Sequence, residues 1–454
     1  MRKNPNKELR PNVVTKMLRA TKAFDSTEDS VALSFVRCNP RLRYVHSWGR
    51  WVIWDGTVWK PDETVAVYDL IRAHCRESSE WTARTDADQK KLCSPAFVSG
   101  VERFCKSDRR YATTAKQFDA DDWKLNTPDG IVSLADGTLN PHDKNDYCTK
   151  ITAVGPTGFC PTWLEFLAVV TEGDSELIAY LQRLVGYCLT GSTREHSLHF
   201  FYGTGANGKT TLLNTLSGIL NDYAINAPAE TFIESRNDRH PTELATLDGP
   251  RIVLAQETES GRKWAETRIK ALTGGDQISA RRMRQDFYTY QPKFKLLIAG
   301  NHKPTLSAVD EASRRRFHII PFTVTIPPKQ RDKSLFDKLR LEWPGILAWA
   351  VEGCVEYYSM DGLNPPARVI EATNDYLQSQ DVLQEWLEDE CDSDPEYWET
   401  PMLLFNSWKE WANKANEPVG RQNQFNERLQ AAGFQQARDN ARGRHWAGVR
   451  CKPQ

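Results

Sequence analysis

The 454-residue sequence has few of the features that mark secreted or membrane proteins. Its 10 cysteines are scattered and form no C-x-x-C pair, which argues against a zinc finger or a disulfide framework and favours reduced thiols. No run of about 18 apolar residues could span a membrane, and the polar, basic start of the chain lacks the apolar segment of a signal peptide. The formal net charge is only −1, so any nucleic-acid binding must come from local basic patches. We therefore expect a cytoplasmic protein with no membrane partner.

The chain is long enough for more than one domain, and its 40% hydrophobic content can build real cores. Composition and periodicity change several times along it. We predict an α/β protein of six segments: a polar leader (1–29), a small α+β N-terminal domain (30–161), a helical collar (162–192), a nucleotide-binding α/β core (193–330), a helical segment (331–395) and a C-terminal winged helix (396–454).

The stretch from residue 197 to residue 220 organises the prediction. An apolar run typical of a buried strand precedes Gly203, and leucines at helical spacing follow Thr211. Between them the chain fits the phosphate-loop pattern G-x-x-x-x-G-K-[ST], and the flanking strand and helix disfavour a chance glycine-rich turn. Glycines let backbone N–H groups surround a polyphosphate, the lysine adds a positive charge, and the first threonine can ligate Mg²⁺. The predicted nucleotide-binding residues are Gly203, Thr204, Gly205, Ala206, Asn207, Gly208, Lys209, Thr210 and Thr211.

Two further apolar runs end in polar residues that suit phosphoryl chemistry. Residues 251–259 predict a strand ending in Glu257 and Glu259. Carboxylates at a strand's carboxyl end can hold Mg²⁺ and polarise the attacking water. Glu257 is the better candidate for the base and a metal ligand, and Glu259 for a supporting role; the alternative is that either is a merely exposed acid. Residues 294–301 predict a strand ending in Asn301, whose amide can position water against the γ-phosphate.

Basic residues outnumber acidic ones by eight to two between residues 268 and 303. Residues 277–281 and 287–291 predict two strands around a basic turn. Because arginine binds phosphates without reading sequence, a basic hairpin beside a nucleotide site suits contact with a nucleic-acid backbone. A merely solvated basic face is the alternative. The candidate DNA-binding residues are Lys270, Arg281, Arg282 and Arg284.

The two ends of the chain carry weaker signals. Tryptophans surround an Asp55-Gly56 turn and predict a hairpin; they could stack on bases, but a small core is the favoured interpretation. From residue 420 onward seven Lys or Arg stand against two acids, and two helices followed by a hairpin predict a DNA-binding winged helix. Winged helices also bind proteins, so that alternative stays open.

The ordered set of motifs resembles the superfamily 3 helicases. The set comprises residues 203–211, 251–259, 270–276 with 281–287, 298–304 and 314–322. The closer likeness is to the helicase half of phage and plasmid primase–helicases, which are related to the poxvirus primase–helicase nucleoside-triphosphatase. It extends from about residue 44 to the end of the chain.

The resemblance implies an AAA+-type P-loop core that hydrolyses ATP with Mg²⁺. It also implies a homo-hexameric ring that moves along single-stranded or forked DNA in a bacterial or phage-infected cytoplasm. Lys209 and Thr210 would contact phosphate and Mg²⁺, Asn301 would be the sensor, and Glu257 with Glu259 the acidic motif. Arg316 would be the arginine finger that reaches a neighbour's nucleotide. Arg315 is its nearest rival, because the triple arginine from Arg314 blurs the alignment.

The same motifs leave three functions open: a replicative helicase, an ATP-driven initiator or loader without processive unwinding, and a structural ring with degenerate catalysis. The intact candidate catalytic residues argue against the third. Many relatives carry an N-terminal primase domain, often with a zinc motif. Because only about 30 residues precede the helicase-associated part here, we predict no primer synthesis, and a separate primase or polymerase becomes a candidate partner.

Overall fold

The structure is a computed structural model that describes residues 26–234, 242–256, 262–283, 286–306, 311–380, 382–415, 417, 419–439 and 442–452. Across these ranges, none of the helices combines the length and the apolar character that crossing a bilayer would require. The predicted polar leader lies almost wholly outside the described residues.

The N-terminal region combines two small sheets with helices. Its strands are β1 (Leu42–Val45), β2 (Arg50–Trp54), β3 (Trp59–Pro61), β4 (Ala112–Thr113), β5 (Lys124–Thr127), β6 (Gly130–Ser133) and β7 (Leu139–Asn140). Its helices are α1 (Glu28–Cys38), α2 (Ala66–Thr82), α3 (Asp86–Leu92) and α4 (Pro95–Ser107). The first sheet has the order β3-β2-β1-β4, with β1 antiparallel to β2 and parallel to β4, and the second is the antiparallel meander β5-β6-β7.

The tryptophan hairpin is confirmed. Trp54 pairs with Trp59 across β2 and β3, and the Asp55 carboxylate closes the turn by accepting from the backbone N–H of Thr57 and Val58, each at 2.8 Å. Trp54 and Trp59 are both buried. Burial of these indoles bears out the core interpretation, because a ring that stacks on bases has to be accessible.

A parallel five-stranded sheet forms the centre of the molecule. Its strands are β8 (Leu198–Tyr202), β9 (Ala224–Asn226), β10 (Ile252–Gln256), β13 (Lys295–Gly300) and β14 (Phe317–Pro321), and between β10 and β13 lies the antiparallel hairpin of β11 (Ile278–Arg281) and β12 (Phe287–Tyr290). The strand order is β14-β8-β13-β10-β9. Every residue of β13 is buried, as expected of a parallel strand covered on both faces.

Helices cover this sheet, and their cores extend across the segment boundaries that were predicted from the sequence. They are α5 (Pro161–Val170), α6 (Ser175–Leu189), α7 (Lys209–Leu220), α8 (Thr242–Ala245), α9 (Glu266–Thr273), α10 (Glu311–Arg316), α11 (Leu335–Leu341), α12 (Trp343–Ser359) and α13 (Ala367–Gln378). One apolar core contains Leu184 of the predicted collar, Leu213 of α7 and Leu347 of the predicted helical segment. Tyr376 of α13 packs with strand residues in a second core. The collar and the helical segment thus share cores with the sheet, and the predicted boundaries between them remain predictions.

The C-terminal unit contains α14 (Val382–Glu390), β15 (Cys391–Glu399), α15 (Pro401–Lys414), α16 (Gln422–Ala431), β16 (Gln435–Asp439) and β17 (Gly443–Cys451). The strands form an antiparallel sheet in the order β15-β17-β16. The two helices and the hairpin expected after residue 400 are present. The sequence did not predict β15, and Trp386 of α14, assigned to the preceding segment, packs in this core with Trp408 and Trp446.

Candidate functional site

The predicted phosphate loop lies at the middle of the central sheet. Gly203 follows β8 directly, and α7 begins at Lys209 with Gly208 as its N-cap. Strand β8 has β14 on one side and β13 on the other, while the chain passes from β8 to β9 at the far edge. Ligands of open α/β sheets bind outside the carboxyl ends of the strands where the strand order reverses in this way. The loop therefore occupies the expected position for a ligand site.

Two loop positions tolerate only glycine. A Cβ on Gly203 would lie 2.0 Å from the Phe322 carbonyl oxygen, and one on Gly208 would lie 2.6 Å from a Val170 side-chain carbon. Gly208 also has φ +87°, a conformation that side chains of L-residues rarely adopt. Backbone crowding and a positive φ thus explain two glycines of the pattern without reference to a ligand.

The Lys209 ammonium is the best-defined group of the site. Its Nζ donates to the Gly203 carbonyl oxygen at 2.6 Å, to Asn207 Oδ1 at 3.0 Å and to Asn301 Oδ1 at 3.2 Å. An ammonium has three N–H donors, and each has a partner here. Asn207 is itself fixed, because its Nδ2 donates to the Phe322 carbonyl oxygen at 2.8 Å. Burial lowers the pKa of Lys209.

A cavity of about 270 Å³ opens beside this ammonium. It brings together the loop and the ends of two neighbouring strands, because Asn301 follows β13 and Gln256 ends β10. The sequence motifs predicted the loop and Asn301 as site residues but did not predict Gln256. The Gln256 Nε2 donates to Asn214 Oδ1 at 3.3 Å. The lining residues are Gly205, Ala206, Asn207, Gly208, Lys209, Thr210, Thr211, Gln256, Ala299, Gly300 and Asn301.

The acidic candidates fall in a stretch between two described ranges, 242–256 and 262–283. Glu257 and Glu259 both lie outside the described residues, and so does Arg284 of the hairpin. Thr210, the other predicted metal ligand, lines the cavity and is exposed. Within the described ranges no group of three His, Cys, Asp or Glu side chains could hold a metal ion.

The three consecutive arginines occupy α10 and precede β14. Arg314 and Arg315 are exposed, and Arg315 Nε lies 3.9 Å from a Glu311 carboxylate oxygen. Arg316 is half-buried, and its Nη1 donates to the Ala312 carbonyl oxygen at 2.9 Å. None of the three lines the cavity of its own subunit. The structure thus does not join these arginines to the loop within one chain.

The predicted basic hairpin exists as β11 and β12, with Arg281 pairing with Phe287. The Arg281 and Arg282 guanidinium carbons each lie 5.4 Å from an aromatic ring centroid, of Phe287 and Tyr288 respectively. Arg282 also lies 3.7 Å from an Asp248 carboxylate oxygen. Both arginines are exposed. Lys270 lies on α9 instead, where it is only half-exposed.

Two families match this chain by sequence. The family described as D5 N terminal like matches residues 32–172, and a family of unknown function, DUF5906, matches residues 201–316. The first match covers the N-terminal sheets and α5. The second runs from the end of β8 to the end of α10 and so includes the loop, the hairpin and the arginine helix.

Viral proteins are among the curated relatives of this chain. "Putative helicase L207/L206" of Acanthamoeba polyphaga mimivirus is 25% identical over 325 residues, which are 66% of this chain and 34% of that protein. "Putative helicase 022R" of Frog virus 3 (isolate Goorha) is 26% identical over 312 residues, 64% of this chain and 31% of that protein. "Primase D5" of Fowlpox virus (strain NVSL) is 24% identical over 178 residues, 37% of this chain and 22% of that protein. The chain thus spans about a third or less of these relatives.

Taken together, these matches show that the chain resembles primase–helicases of the poxvirus type. The apo A form of the C-terminal region of NrS-1 has a related fold, with a TM-score of 0.50, 10% identity, and coverage of 90% of this chain and 96% of that one. At that identity the likeness concerns the fold alone.

Proposed function

We propose that this protein is an ATP-dependent DNA helicase of superfamily 3, with an AAA+-type P-loop core and a C-terminal winged helix. The observation that carries the proposal is the Lys209 ammonium, held by three oxygen acceptors beside a cavity at the central switch point of a parallel sheet. The names of the viral relatives support the same activity for the matched region.

The residues present fit the triphosphate of ATP. The loop offers the backbone N–H groups of a helix start, and Lys209 supplies a fixed positive charge beside them. Mg²⁺, when bound, would neutralise charge on the phosphates, and Thr210 with Glu257 are its proposed protein contacts. We assign the general base to Glu257, with Glu259 as its support. Asn301 would orient the attacking water from the end of β13.

The proposed site is completed by a second copy of the chain. None of the three arginines lines its own cavity, whereas exposed guanidinium groups can reach a neighbouring subunit. Arg316 is the finger implied by the family resemblance, while the greater exposure of Arg315 keeps that residue as the rival. Head-to-tail contacts of this kind repeat around a closed ring, and we propose a homo-hexamer.

DNA contact is assigned first to the hairpin. Exposed Arg281 and Arg282, with Arg284 and Lys270, would bind the backbone of single-stranded DNA. The stretch from residue 420 onward, with seven Lys or Arg against two acids, supports an alternative function, an initiator or loader that assembles on duplex DNA without processive unwinding. Primer synthesis is not part of the proposal, and a separate primase or polymerase would be the partner that supplies it.

The test is ATP-dependent strand displacement on a forked duplex. We expect unwinding by the wild-type protein and none by Glu257→Gln protein, in which the attacking water loses its base. This variant should still bind ATP because the loop and Lys209 are unchanged. ATP hydrolysis without displacement would favour the loader. Normal hydrolysis by Glu257→Gln protein would transfer the base assignment to Glu259.

A further inference from the structure

A second cavity, of about 470 Å³, lies in the N-terminal region. Its wall comes from the end of α1, from β1, from the segment after α4 and from the short 3-10 helix Lys144–Asp146. Five lining residues are basic, and none of the described lining residues is acidic. In a chain with 59 basic and 60 acidic residues, such a wall departs strongly from the average surface. The basic residues are Arg37, Arg43, Arg109, Arg110 and Lys144.

Three of these cations are available to an outside anion. Arg37, Arg109 and Lys144 make no side-chain hydrogen bond or ion pair with any residue that the structure describes. Arg110 differs, because its Nε and Nη2 both contact the Asp108 carboxylate, at 2.9 and 2.6 Å. The cleft therefore concentrates positive charge that the described residues do not neutralise.

The remaining cation, Arg43, is held in a fixed position. Its Nη1 donates to the Leu42 carbonyl oxygen at 2.7 Å and to that of Pro40 at 3.2 Å. Its guanidinium carbon lies 5.1 Å from the Trp59 ring centroid and 5.9 Å from that of Tyr147. Its Nε donates to the Tyr147 hydroxyl at 3.4 Å, which leaves Nη2 to face an anion. A guanidinium fixed in this way loses little conformational entropy when an anion binds to it.

The backbone at Tyr147 is also unusual. This residue lines the cleft with φ 52°, a left-handed conformation that is unfavourable for a non-glycine residue. Its ring stacks on Trp59 at a centroid distance of 6.0 Å and an interplanar angle of 11°. Such strain persists where the surrounding structure imposes it, often at ligand sites.

We propose that this cleft binds the phosphodiester backbone of single-stranded DNA, as a contact separate from the β11–β12 hairpin. The inference rests on the proposed function, since a single strand is the substrate of a helicase. A mononucleotide offers the same phosphate chemistry. The strand is the better match because the cations come from several separate segments, and a strand presents one negative charge per nucleotide along its length.

The experiment measures binding of a fluorescent oligo(dT) to the full chain by anisotropy across a salt series. The test protein carries Arg37→Ala, Arg109→Ala and Lys144→Ala. The matched control carries Lys90→Ala, Lys91→Ala and Arg103→Ala, which remove equal charge from exposed positions outside the cleft. Loss of three phosphate contacts should weaken binding about a hundredfold at about 0.1 M salt and make the salt slope shallower by about 2. The control should match the wild type.

The outcomes separate this inference from the proposed function. A test protein that binds like the control, while Arg282→Ala/Arg284→Ala protein binds more weakly, overturns the cleft assignment and leaves the helicase proposal intact. A wild-type protein that binds no single-stranded DNA overturns both. The mononucleotide arm uses Lys209→Ala protein titrated with ADP. Residual ADP binding that disappears with the three cleft substitutions would overturn the strand assignment. If the Lys209→Ala protein shows no residual ADP binding, the strand assignment is supported.

Discussion

The strands of the central sheet begin at one side of the sheet, here called the amino edge, and end at the other, the carboxyl edge. Each of these two sides buries one lysine, in different surroundings. At the carboxyl edge, Lys209 has three oxygen partners beside the cavity. At the amino edge Lys295, the first residue of β13, donates to the carbonyl oxygens of Thr190 and Ser192, and its Nζ lies 4.8 Å from the Tyr187 ring centroid. Burial lowers the pKa of both lysines, and for Lys295 burial and the positive charge of Arg251 bring the pKa to about 7.

The larger pKa shift belongs to the lysine without a ligand site. Lys295 and Arg251 both donate to backbone carbonyls at the end of α6, where helix geometry leaves acceptors without partners. Their role is structural. A perturbed pKa alone is therefore a weak indicator of function. What distinguishes Lys209 is the adjacent cavity and a set of acceptors that a phosphate could replace.

The strongest test of this contrast removes the lysine at the carboxyl edge. Lys209→Ala should lower ATP hydrolysis by at least about 10² to 10³-fold, because the developing charge loses a fixed donor. Phosphate release measures it. Lys329→Ala, which removes an exposed lysine, should leave the rate unchanged. Near-normal hydrolysis in the Lys209→Ala protein would mean that the cavity is not the catalytic site.

The second test asks whether the carboxyl-edge site is complete in one subunit. Arg316→Ala alone should reduce hydrolysis by about 10³-fold or more. An equimolar mixture with Lys209→Ala protein should recover up to about a quarter of the wild-type rate, because that share of the interfaces joins an intact loop to an intact finger. An inactive mixture, despite proven subunit exchange, would mean either that Arg316 acts in its own subunit or that the finger is Arg315, and Arg315→Ala in the same mixture would decide between the two.

A third test compares the buried ammonium of Lys209 with the exposed arginines of the β11–β12 hairpin. Arg282→Ala/Arg284→Ala should weaken single-stranded DNA binding about tenfold, equally across sequences, and make the salt slope shallower by about 1.4, at about 0.7 per lost contact. Basal ATP hydrolysis should persist. Anisotropy titrations against Lys90→Ala/Lys91→Ala protein measure the difference. An unchanged salt slope would mean that the hairpin arginines are merely solvated and do not contact the DNA backbone.

The smallest effect concerns the amino edge. The pKa of Lys295 is lowered to about 7 on folding, so between pH 7 and the ordinary lysine pKa the unfolded chain binds more protons and stability rises with pH. Lys295→Met should remove this contribution, which is at most about 1.4 kcal/mol per pH unit. Unfolding midpoints from pH 7 to 9 measure it. Lys293→Met, two residues earlier and paired with Asp122, is the control; equal pH dependence in both variants would contradict the assignment.

Local patterns allowed much of this site to be predicted. The loop, the strands ending at residues 202 and 300, and the hairpin at Arg281 follow from short runs of residues whose spacing identifies them. Asn301 was predicted for the same reason, since it ends an apolar run. The way Asn207 is held beside Lys209 could not be predicted. The Phe322 carbonyl that fixes Asn207 directly follows β14, which neighbours β8 in the sheet but is far from it in the sequence.

Features built from distant or polar segments were missed. Strand β15 contains Pro395 and several acids, so it has no apolar alternation, and it is a strand only because β17 pairs with it. The basic cleft joins separate segments that carry no shared motif. The C-terminal core also determines where this unit can be removed: a truncation at Glu399 would strip Trp386 of its packing partners, so a deletion of the unit should begin before Val382.

The hydrogen bonds of Lys209 have a consequence for any phosphate that enters the cavity. Gly203, Asn207 and Asn301 act as internal competitors for the ammonium, so the measured affinity is the difference between two sets of bonds. In exchange, the loop is held in shape before any ligand arrives, and little entropy is lost on binding. Asn301 would lose its hydrogen bond to Lys209 whenever a phosphate takes its place, so the position of this side chain at the end of β13 would depend on whether the cavity is occupied.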